Sequence, residues 1–192
     1  MEYTKTQLLA HGWSANIYLA RDEYGNEVLI KEVRDKSPRK NLAEREGKML
    51  SLANTVNVGP KIIEIDYKNN RVVREYVHGE EFREWVLGKT FGTVTREQLY
   101  AFIKELYRQL LRLDTIHVSH NQLGVGKNVL VKKETNTMTG SERFVPVIID
   151  YEKATVKPGT HTKNIGQIED LVFYNPNGVI AKKVREKMSV IL

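Results

Sequence analysis

The spacing of hydrophobic positions changes partway along the chain and divides it into two parts. Up to residue 77, apolar and polar residues alternate in short runs rich in valine and isoleucine, a pattern typical of β-strands. The predicted strands are Glu27–Val33, Lys61–Tyr67 and Arg71–Val77, of which the last two form a hairpin. Asn41–Leu52 precedes that hairpin and predicts a helix. We therefore expect a sheet with one inserted helix in residues 1–77.

After residue 78 the spacing becomes helical. Thr95–Ile116 predicts the longest helix, because Thr95 and Gln98 form a capping box and apolar residues then recur at helical spacing. Those apolar residues are Leu99, Phe102, Ile103, Leu106, Leu110 and Leu113. The other predicted elements are strands at Asn128–Val131 and Val145–Ile149 and helices at Lys163–Tyr174 and Asn177–Leu192. The whole pattern predicts an α+β fold whose second part, residues 78–192, is mostly helical.

The composition restricts the classes of protein to which the chain can belong. Its 192 residues, 41% of them hydrophobic, suffice for one domain or one compact two-part unit. The absence of cysteine excludes a disulfide framework, a thiolate metal site and a cysteine nucleophile. No apolar run approaches the ~20 residues of a membrane span, and the first residues lack a signal-peptide pattern. We therefore expect a cytoplasmic protein that does not engage a membrane.

The net charge of +6 suits an anionic partner, nucleic acid included. The basic residues are scattered, and the densest cluster, Arg34–Lys40 (RDKSPRK), is typical of a solvated loop. No RNA-binding signature accompanies it. On charge alone, a nucleic-acid or ribonucleoprotein-associated factor stays an open alternative.

A small-residue turn followed by a strand lysine is the first candidate for chemistry. Gly12-Trp13-Ser14-Ala15-Asn16 lies between two predicted strands, and Lys31 lies on the next one. A tight turn lets backbone N–H groups approach phosphates, and a lysine supplies a point charge. The order favours a phosphate-binding site, with a plain hairpin and a surface lysine as the alternative.

The inserted helix offers two carboxylates that can pair with Lys31. Glu46 has Leu50 four residues later, so Glu46 can face the lysine while Leu50 packs beside it. Glu44 is the competing candidate. We prefer Glu46, the alternative being a glutamate that faces solvent.

Two oxygen-bearing side chains flank the predicted hairpin of the second part. Asn128 precedes the apolar run Val129-Leu130-Val131, and Asp150 ends the run Val147-Ile148-Ile149. Because the two runs pair as one hairpin, Asn128 and Asp150 should emerge near each other. Amide and carboxylate oxygens suit a magnesium–nucleotide site.

The ordered set of Gly12, Lys31, Glu46, Asn128 and Asp150 resembles the protein-kinase-like superfamily across residues 7–155. It is most similar to short archaeal serine/threonine kinases related in plan to the RIO group. The segments that carry the resemblance are GWSANIYLA, EREGKML followed by GPKII, REYVHG, HNQL with KNVLV, and VIIDYEKA.

This resemblance implies a bilobal fold, with an N-lobe in residues 1–77 and a minimal C-lobe in 78–192, that binds ATP with Mg²⁺ or Mn²⁺. The implied roles place Lys31, paired with Glu46, on the phosphates, Asn128 and Asp150 on the metal, the turn residues Gly12, Ser14, Ala15 and Asn16 over the phosphates, and the backbone of Glu75 and Val77 on adenine. The implied activity is transfer of the γ-phosphoryl group to a hydroxyl of an unknown protein substrate.

The chain departs from the kinase pattern where the catalytic acid is expected. Aligning His120-Asn121-Gln122-Leu123 with the kinase H-R-D-L requires one inserted residue and puts Gln122 at the acid position, whereas a strict count gives Leu123. Gln122 can orient an acceptor, as glutamine orients water in GTPases. His120 either assists it or bonds the backbone as a structural histidine.

A second departure is D-Y-E at Asp150–Glu152 in place of D-F-G. Together with Gln122 it supports a pseudokinase-type nucleotide-binding module as an alternative to an active kinase.

Overall fold

The computed structural model describes residues 2–37, 41–159 and 161–188, and the chain forms two compact units. The first unit contains residues 1–76 together with 150–153, and the second contains 77–149 and 154–192. Residues 150–153 therefore belong to the first unit, although the residues before and after them belong to the second. The end of the Arg34–Lys40 cluster lies outside the described residues.

The first unit is a five-stranded antiparallel sheet with one helical insertion. Its strands are β1 (Tyr3–His11), β2 (Ala15–Asp22), β3 (Glu27–Val33), β4 (Ile62–Asp66) and β5 (Arg71–Glu75), in the order β1-β2-β3-β5-β4. Strand β3 lies at the centre, where Val28 and Ile30 are buried against Ala20 and Val73. Because successive side chains of a strand point to opposite faces of the sheet, Lys31 lies on the opposite face from Ile30, and both are buried.

The inserted helix begins and ends later than its predicted bounds of Asn41–Leu52. It starts as a π-helical segment, Ala43–Gly47, and continues as α1 (Lys48–Thr55). Gly47 packs on the side chain of Ile65, where an added Cβ would lie 2.9 Å from the Ile65 Cδ1. This close approach brings the π-helical segment against the sheet. A short 3₁₀ helix, Tyr151–Lys153, completes the unit.

The second unit contains most of the helices. Its elements are β6 (Glu80–Glu81), α2 (Phe82–Leu87), a 3₁₀ helix (Lys89–Thr93), α3 (Arg96–Thr115), β7 (Val118–Ser119), β8 (Val129–Thr135), β9 (Glu142–Ile148), β10 (Thr155–Val156), α4 (Asn164–Glu169), a π-helical segment (Asp170–Tyr174) and α5 (Val179–Met188). Strand β8 pairs with both β6 and β9, and β7 pairs with β10.

Helix α3 confirms the prediction for Thr95–Ile116. The Thr95 hydroxyl accepts the Gln98 backbone N–H at 3.1 Å, and the Gln98 side chain accepts the Thr95 N–H at 2.9 Å. The predicted apolar stripe is buried along the helix. No helix in the described ranges has the length and apolar character needed to cross a membrane.

Strands β8 and β9 and helices α2 and α5 differ from the prediction. Strand β8 extends beyond the predicted end at Val131, and β9 begins before the predicted start at Val145. Two ion pairs hold these extensions together: Glu134 pairs with Arg143 at 2.6 Å, and Lys133 pairs with Glu142 at 2.6 Å. Helix α2 was not predicted; its short sequence gives little periodicity, and aromatic packing of Trp85 on neighbouring rings holds it. Helix α5 begins at Val179, and residues 189–192 of its predicted range lie outside those described.

Candidate phosphate and metal site

The ammonium group of Lys31 lies among three carboxylates within the first unit. Its Nζ is 2.6 Å from the Glu46 Oε2, 2.7 Å from the Asp150 Oδ1 and 3.7 Å from the Glu152 Oε2. The lysine is buried, so these charges interact with little screening by water. Burial lowers the pKa of Lys31, but the charges of Glu46 and Asp150 outweigh it, and the pKa is raised above its ordinary value. Lys31 is therefore fixed as a cation.

Glu46 comes from the π-helical segment and is 1% exposed. Leu50, one turn later, is buried on the same side. The competing candidate, Glu44, is exposed to solvent. Burial raises the pKa of Glu46, and the nearby Lys31 charge opposes the rise. The structure thus brings Lys31 to Glu46 and leaves Glu44 outside.

Asp150 follows the apolar end of β9 with a backbone φ of +63°, in the left-handed region. Asparagine and aspartate tolerate this region better than most residues. The next residue, Tyr151, is fully buried and anchors the 3₁₀ helix. This anchor holds the Asp150 side chain, which is 37% exposed, against Lys31.

Glu152 is a member of the site whose contacts the sequence pattern did not indicate. It is 7% exposed, and its Oε2 accepts a hydrogen bond from the Ser14 hydroxyl at 3.1 Å. The bond spans 138 positions of the chain. The local sequence gives one signal, the glutamate that replaces a glycine after Asp150-Tyr151. That signal does not identify Ser14 as the hydrogen-bond partner.

The turn between β1 and β2 is tight and internally bonded. The Gly12 N–H donates to the Ala15 carbonyl at 2.9 Å, and the Arg34 Nη1 donates to the Gly12 carbonyl at 2.8 Å. A Cβ at position 12 would lie 3.0 Å from the Ala15 oxygen, so glycine fits this approach best. Ala15 is buried, and the Asn16 amide reaches the Tyr18 hydroxyl at 3.3 Å.

A second buried cation, Arg74, lies on β5 and was not singled out by its sequence context. It is 6% exposed, and its Nη1 donates to the Glu75 carbonyl at 3.2 Å. Burial lowers the pKa of its guanidinium, and the charges of Glu46 and Asp150 oppose this. Even with Arg74, the site holds more negative than positive side chains.

The donor set fits a divalent cation. One carboxylate oxygen from each of Glu46, Asp150 and Glu152 lies within 4.8 Å of the other two. Hard cations such as Mg²⁺ and Mn²⁺ prefer oxygen ligands of this kind. Among the described residues, these three carboxylates form the group whose oxygens are close enough together to hold a metal ion. The excess negative charge of the site also favours binding of a cation.

Asn128 and Gln122 lie in the second unit and contact each other. The Asn128 side-chain Nδ2 donates to the Gln122 backbone carbonyl at 3.1 Å, and the Asn128 backbone carbonyl accepts the Ile149 N–H at 2.9 Å. Leu123, the residue given by the strict count, is fully buried in the core and cannot meet a substrate. Gln122 is half-buried and is the better candidate of the two.

His120 is fully buried in the second unit. Its Nε2 lies 2.8 Å from the Ile149 carbonyl, an oxygen that accepts hydrogen bonds only, so the ring donates here. Its backbone N–H donates to the Asn164 Oδ1 at 2.9 Å. These bonds favour the structural interpretation of His120 over that of a proton acceptor.

The backbone groups predicted to bind adenine lie at the end of β5 and just after it. The Glu75 N–H donates to the Lys61 carbonyl at 2.8 Å, and the Glu75 carbonyl accepts a hydrogen bond from the Arg74 Nη1 at 3.2 Å. Val77 is buried at the start of the second unit. The role of both positions stays a prediction.

Comparison with known proteins gives two curated relatives. No protein-family model matches the chain. The EKC/KEOPS complex subunit bud32 of Dictyostelium discoideum is 25% identical over 160 residues, which cover 78% of this chain and 61% of the relative. The KEOPS complex subunit Bud32 of Pyrococcus abyssi is 30% identical over 139 residues, or 65% of this chain and 61% of the relative. The chain thus spans about three fifths of either relative.

Two solved structures of the Rio2 kinase from Chaetomium thermophilum share the fold. One is a complex with ADP/Mg²⁺ and phosphoaspartate; it aligns with a TM-score of 0.69 and 15% identity over 98% of this chain and 57% of that chain. The other has a TM-score of 0.67 and 17% identity over 98% of this chain and 59% of that chain. The predicted α+β, protein-kinase-like fold is confirmed, and so is the resemblance to the RIO group.

Proposed function

We propose that this relative of the RIO group binds ATP with Mg²⁺ or Mn²⁺ and transfers the γ-phosphoryl group to a hydroxyl. The observation that carries the proposal is the buried pair of Lys31 and Glu46, with Asp150 on the same ammonium group. Burying a lysine among carboxylates from two distant segments costs desolvation free energy, and the stability of the fold alone does not require it. Phosphoryl transfer, which depends on positioned charge, gives it a purpose.

Each residue near the turn has a role in this proposal. Lys31 neutralises phosphate oxygens while Glu46 fixes its position. The Ser14 hydroxyl and the backbone of Ala15 and Asn16 cover the phosphates, while Gly12, whose N–H donates to the Ala15 carbonyl, closes the turn. The backbone of Glu75 and Val77 binds adenine. These roles require two changes of side chain: the Lys31 ammonium is released from Asp150, and the Ser14 hydroxyl is released from Glu152.

Asp150 holds the divalent metal in this proposal, and Asn128 is the second ligand predicted from the sequence. A Mg²⁺ or Mn²⁺ held there would neutralise the negative charge that develops during transfer. Asp150 suits this role because its carboxylate is partly exposed while its backbone is anchored by buried Tyr151. Glu152 offers a further oxygen in the same cluster.

Gln122 orients the acceptor hydroxyl without removing its proton. An amide cannot accept a proton as a carboxylate does, but the loose transition state of phosphoryl transfer asks little of a base. We therefore expect transfer to proceed, but more slowly than with a carboxylate at this position. The basic net charge of +6 would assist an acidic or phosphorylated partner.

A second candidate function follows from the curated relatives, which are subunits of the EKC/KEOPS complex. In this alternative the chain is a nucleotide-binding subunit whose role lies in assembly with a partner protein. Gln122 and the D-Y-E sequence favour it. Binding of nucleotide without transfer would distinguish it from an active kinase.

The test is incubation of the purified chain with γ-labelled ATP and Mg²⁺ or Mn²⁺. Lys31→Ala and Asp150→Asn remove a cation and a metal ligand, and Glu44→Gln is a matched control at an exposed carboxylate of the same helix. Label on the protein, or released phosphate, that disappears in both variants and persists in the control supports a kinase. Retained binding of metal–ATP without label supports the second candidate, and absence of binding overturns both.

The chemical stability of the label identifies the acceptor. A phosphate ester on a hydroxyl survives acid, whereas an acyl phosphate on a carboxylate is released by hydroxylamine. Because a solved Rio2 structure contains phosphoaspartate, the assay includes both treatments. Hydroxylamine-labile label would replace the hydroxyl in the proposal by a carboxylate.

A further inference from the structure

The Glu152 carboxylate occupies donors that the proposed function assigns to phosphate. Its Oε2 accepts the Ser14 hydroxyl at 3.1 Å and lies 3.7 Å from the Lys31 Nζ. All three residues are buried. A single carboxylate oxygen thus stands where an oxygen of a bound anion would meet both donors.

Backbone and packing keep Glu152 at this place. It belongs to the 3₁₀ helix Tyr151–Lys153, whose first residue is fully buried. A glutamate fixed in this way cannot turn freely into solvent when an anion arrives. The incoming phosphate therefore meets a negative charge that stays within the site.

The other charges around Lys31 strengthen this repulsion of an incoming phosphate. Glu46, Asp150 and Glu152 carry three negative charges, against one on Lys31 and one on the buried Arg74. A nucleotide triphosphate without metal brings several more negative charges into the same low-dielectric region. A divalent cation reverses the balance, because the carboxylate oxygens then become its ligands and the phosphates its counter-charges.

We propose that Glu152 makes nucleotide binding depend on a divalent metal. It excludes metal-free nucleotide by holding Ser14 and Lys31, and it accepts metal–nucleotide because its carboxylate is close enough to join the metal's ligands. This inference rests on the proposed nucleotide site and defines the form of the nucleotide that the site takes. It assigns a specificity role to the residue that distinguishes D-Y-E from D-F-G.

The test measures ATP dissociation constants by calorimetry, once in EDTA and once in Mg²⁺. The chains compared are the wild type, Glu152→Gln, Glu152→Ala and the control Glu44→Gln. Glu152→Gln keeps the size of the side chain and an oxygen for Ser14 but removes the charge. We expect it to tighten metal-free ATP binding at least about tenfold, because a unit charge about 4 Å from a phosphate oxygen in a partly buried site repels it by more than a tenfold change in affinity represents.

For each chain, the ratio of the ATP dissociation constant in EDTA to that in Mg²⁺ decides the outcome. We expect a large preference for Mg²⁺–ATP in the wild type and in Glu44→Gln, and a reduced preference in both Glu152 variants. Unchanged metal-free affinity in a folded Glu152→Gln, as judged by its thermal unfolding, overturns the role of Glu152 while leaving the proposed function intact. If the wild type binds no Mg²⁺–ATP, the proposed function itself fails and this inference fails with it.

Discussion

The Lys31 Nζ and the Asp150 Oδ1 lie 2.7 Å apart, although 119 positions separate them in the chain. The contact joins the segment 150–153 to the first unit, to which these residues belong. The lysine organises both Glu46 from the inserted helix and Asp150 from this returning segment. Its removal should therefore affect folding as well as binding.

Replacing Lys31 by methionine should destabilise the chain by about 3–5 kcal/mol, because it leaves buried carboxylates without their shared cation. Chemical denaturation monitored by circular dichroism measures the change. Lys5→Met is the control: its ion pair with Glu32 is partly exposed, so its loss should cost less than about 1 kcal/mol. Equal effects of the two substitutions would contradict the central role of Lys31.

The destabilisation caused by Lys31→Met should fall as the pH is lowered from neutrality toward the ordinary pKa of glutamate. Burial raises the pKa of Glu46, so its protonation favours the folded state; that contribution is present in full below the ordinary glutamate pKa and is lost as the pH rises through the folded-state pKa. Without the Lys31 charge the pKa of Glu46 rises further. Denaturation curves across this range test the sign. A cost that grows on acidification would show that Glu46 does not titrate in this way.

Gln122→Asp should raise the rate of phosphoryl transfer about 10²-fold, because a carboxylate supplies the proton acceptor that the amide lacks. The affinity for Mg²⁺–ATP should stay the same. Single-turnover assays with γ-labelled ATP separate the two quantities, and Gln122→Asn is the matched control without a carboxylate. An unaltered rate would indicate that Gln122 does not face the acceptor.

Thr95→Ala should destabilise the second unit by about 1 kcal/mol, since it removes both the cap of α3 and the geometry that positions Gln98. Thermal unfolding measures the loss. Thr95→Ser keeps the hydroxyl and should recover most of the stability. If serine is no better than alanine, the cap contributes little.

Much of the fold follows from local patterns. The alternation in Glu27–Val33 predicts β3, and the capping box with its apolar stripe predicts α3 almost to the residue. The charged ends of β8 and β9 escape prediction, because cross-strand ion pairs rather than hydrophobic alternation hold them. The local sequence does not indicate which residues pair across the two strands.

The candidate site likewise contains some contacts that local sequence predicts and others that depend on tertiary packing. The spacing of Glu46 and Leu50 within one helix is enough to place that glutamate against Lys31 rather than Glu44. By contrast, the contact of Ser14 with Glu152 depends on how two distant segments return to the same sheet, and so does the buried charge of Arg74. A single sequence indicates which residues can carry charge, whereas tertiary packing decides which charges share a site.

The left-handed backbone at Asp150 limits how natural variation can alter the site. Asparagine and glycine adopt this conformation at little cost, whereas β-branched residues are strained in it. A lineage that loses the carboxylate while keeping the fold should therefore pass through asparagine or glycine at position 150. Valine, isoleucine or threonine there would signal that the returning segment itself has been rebuilt.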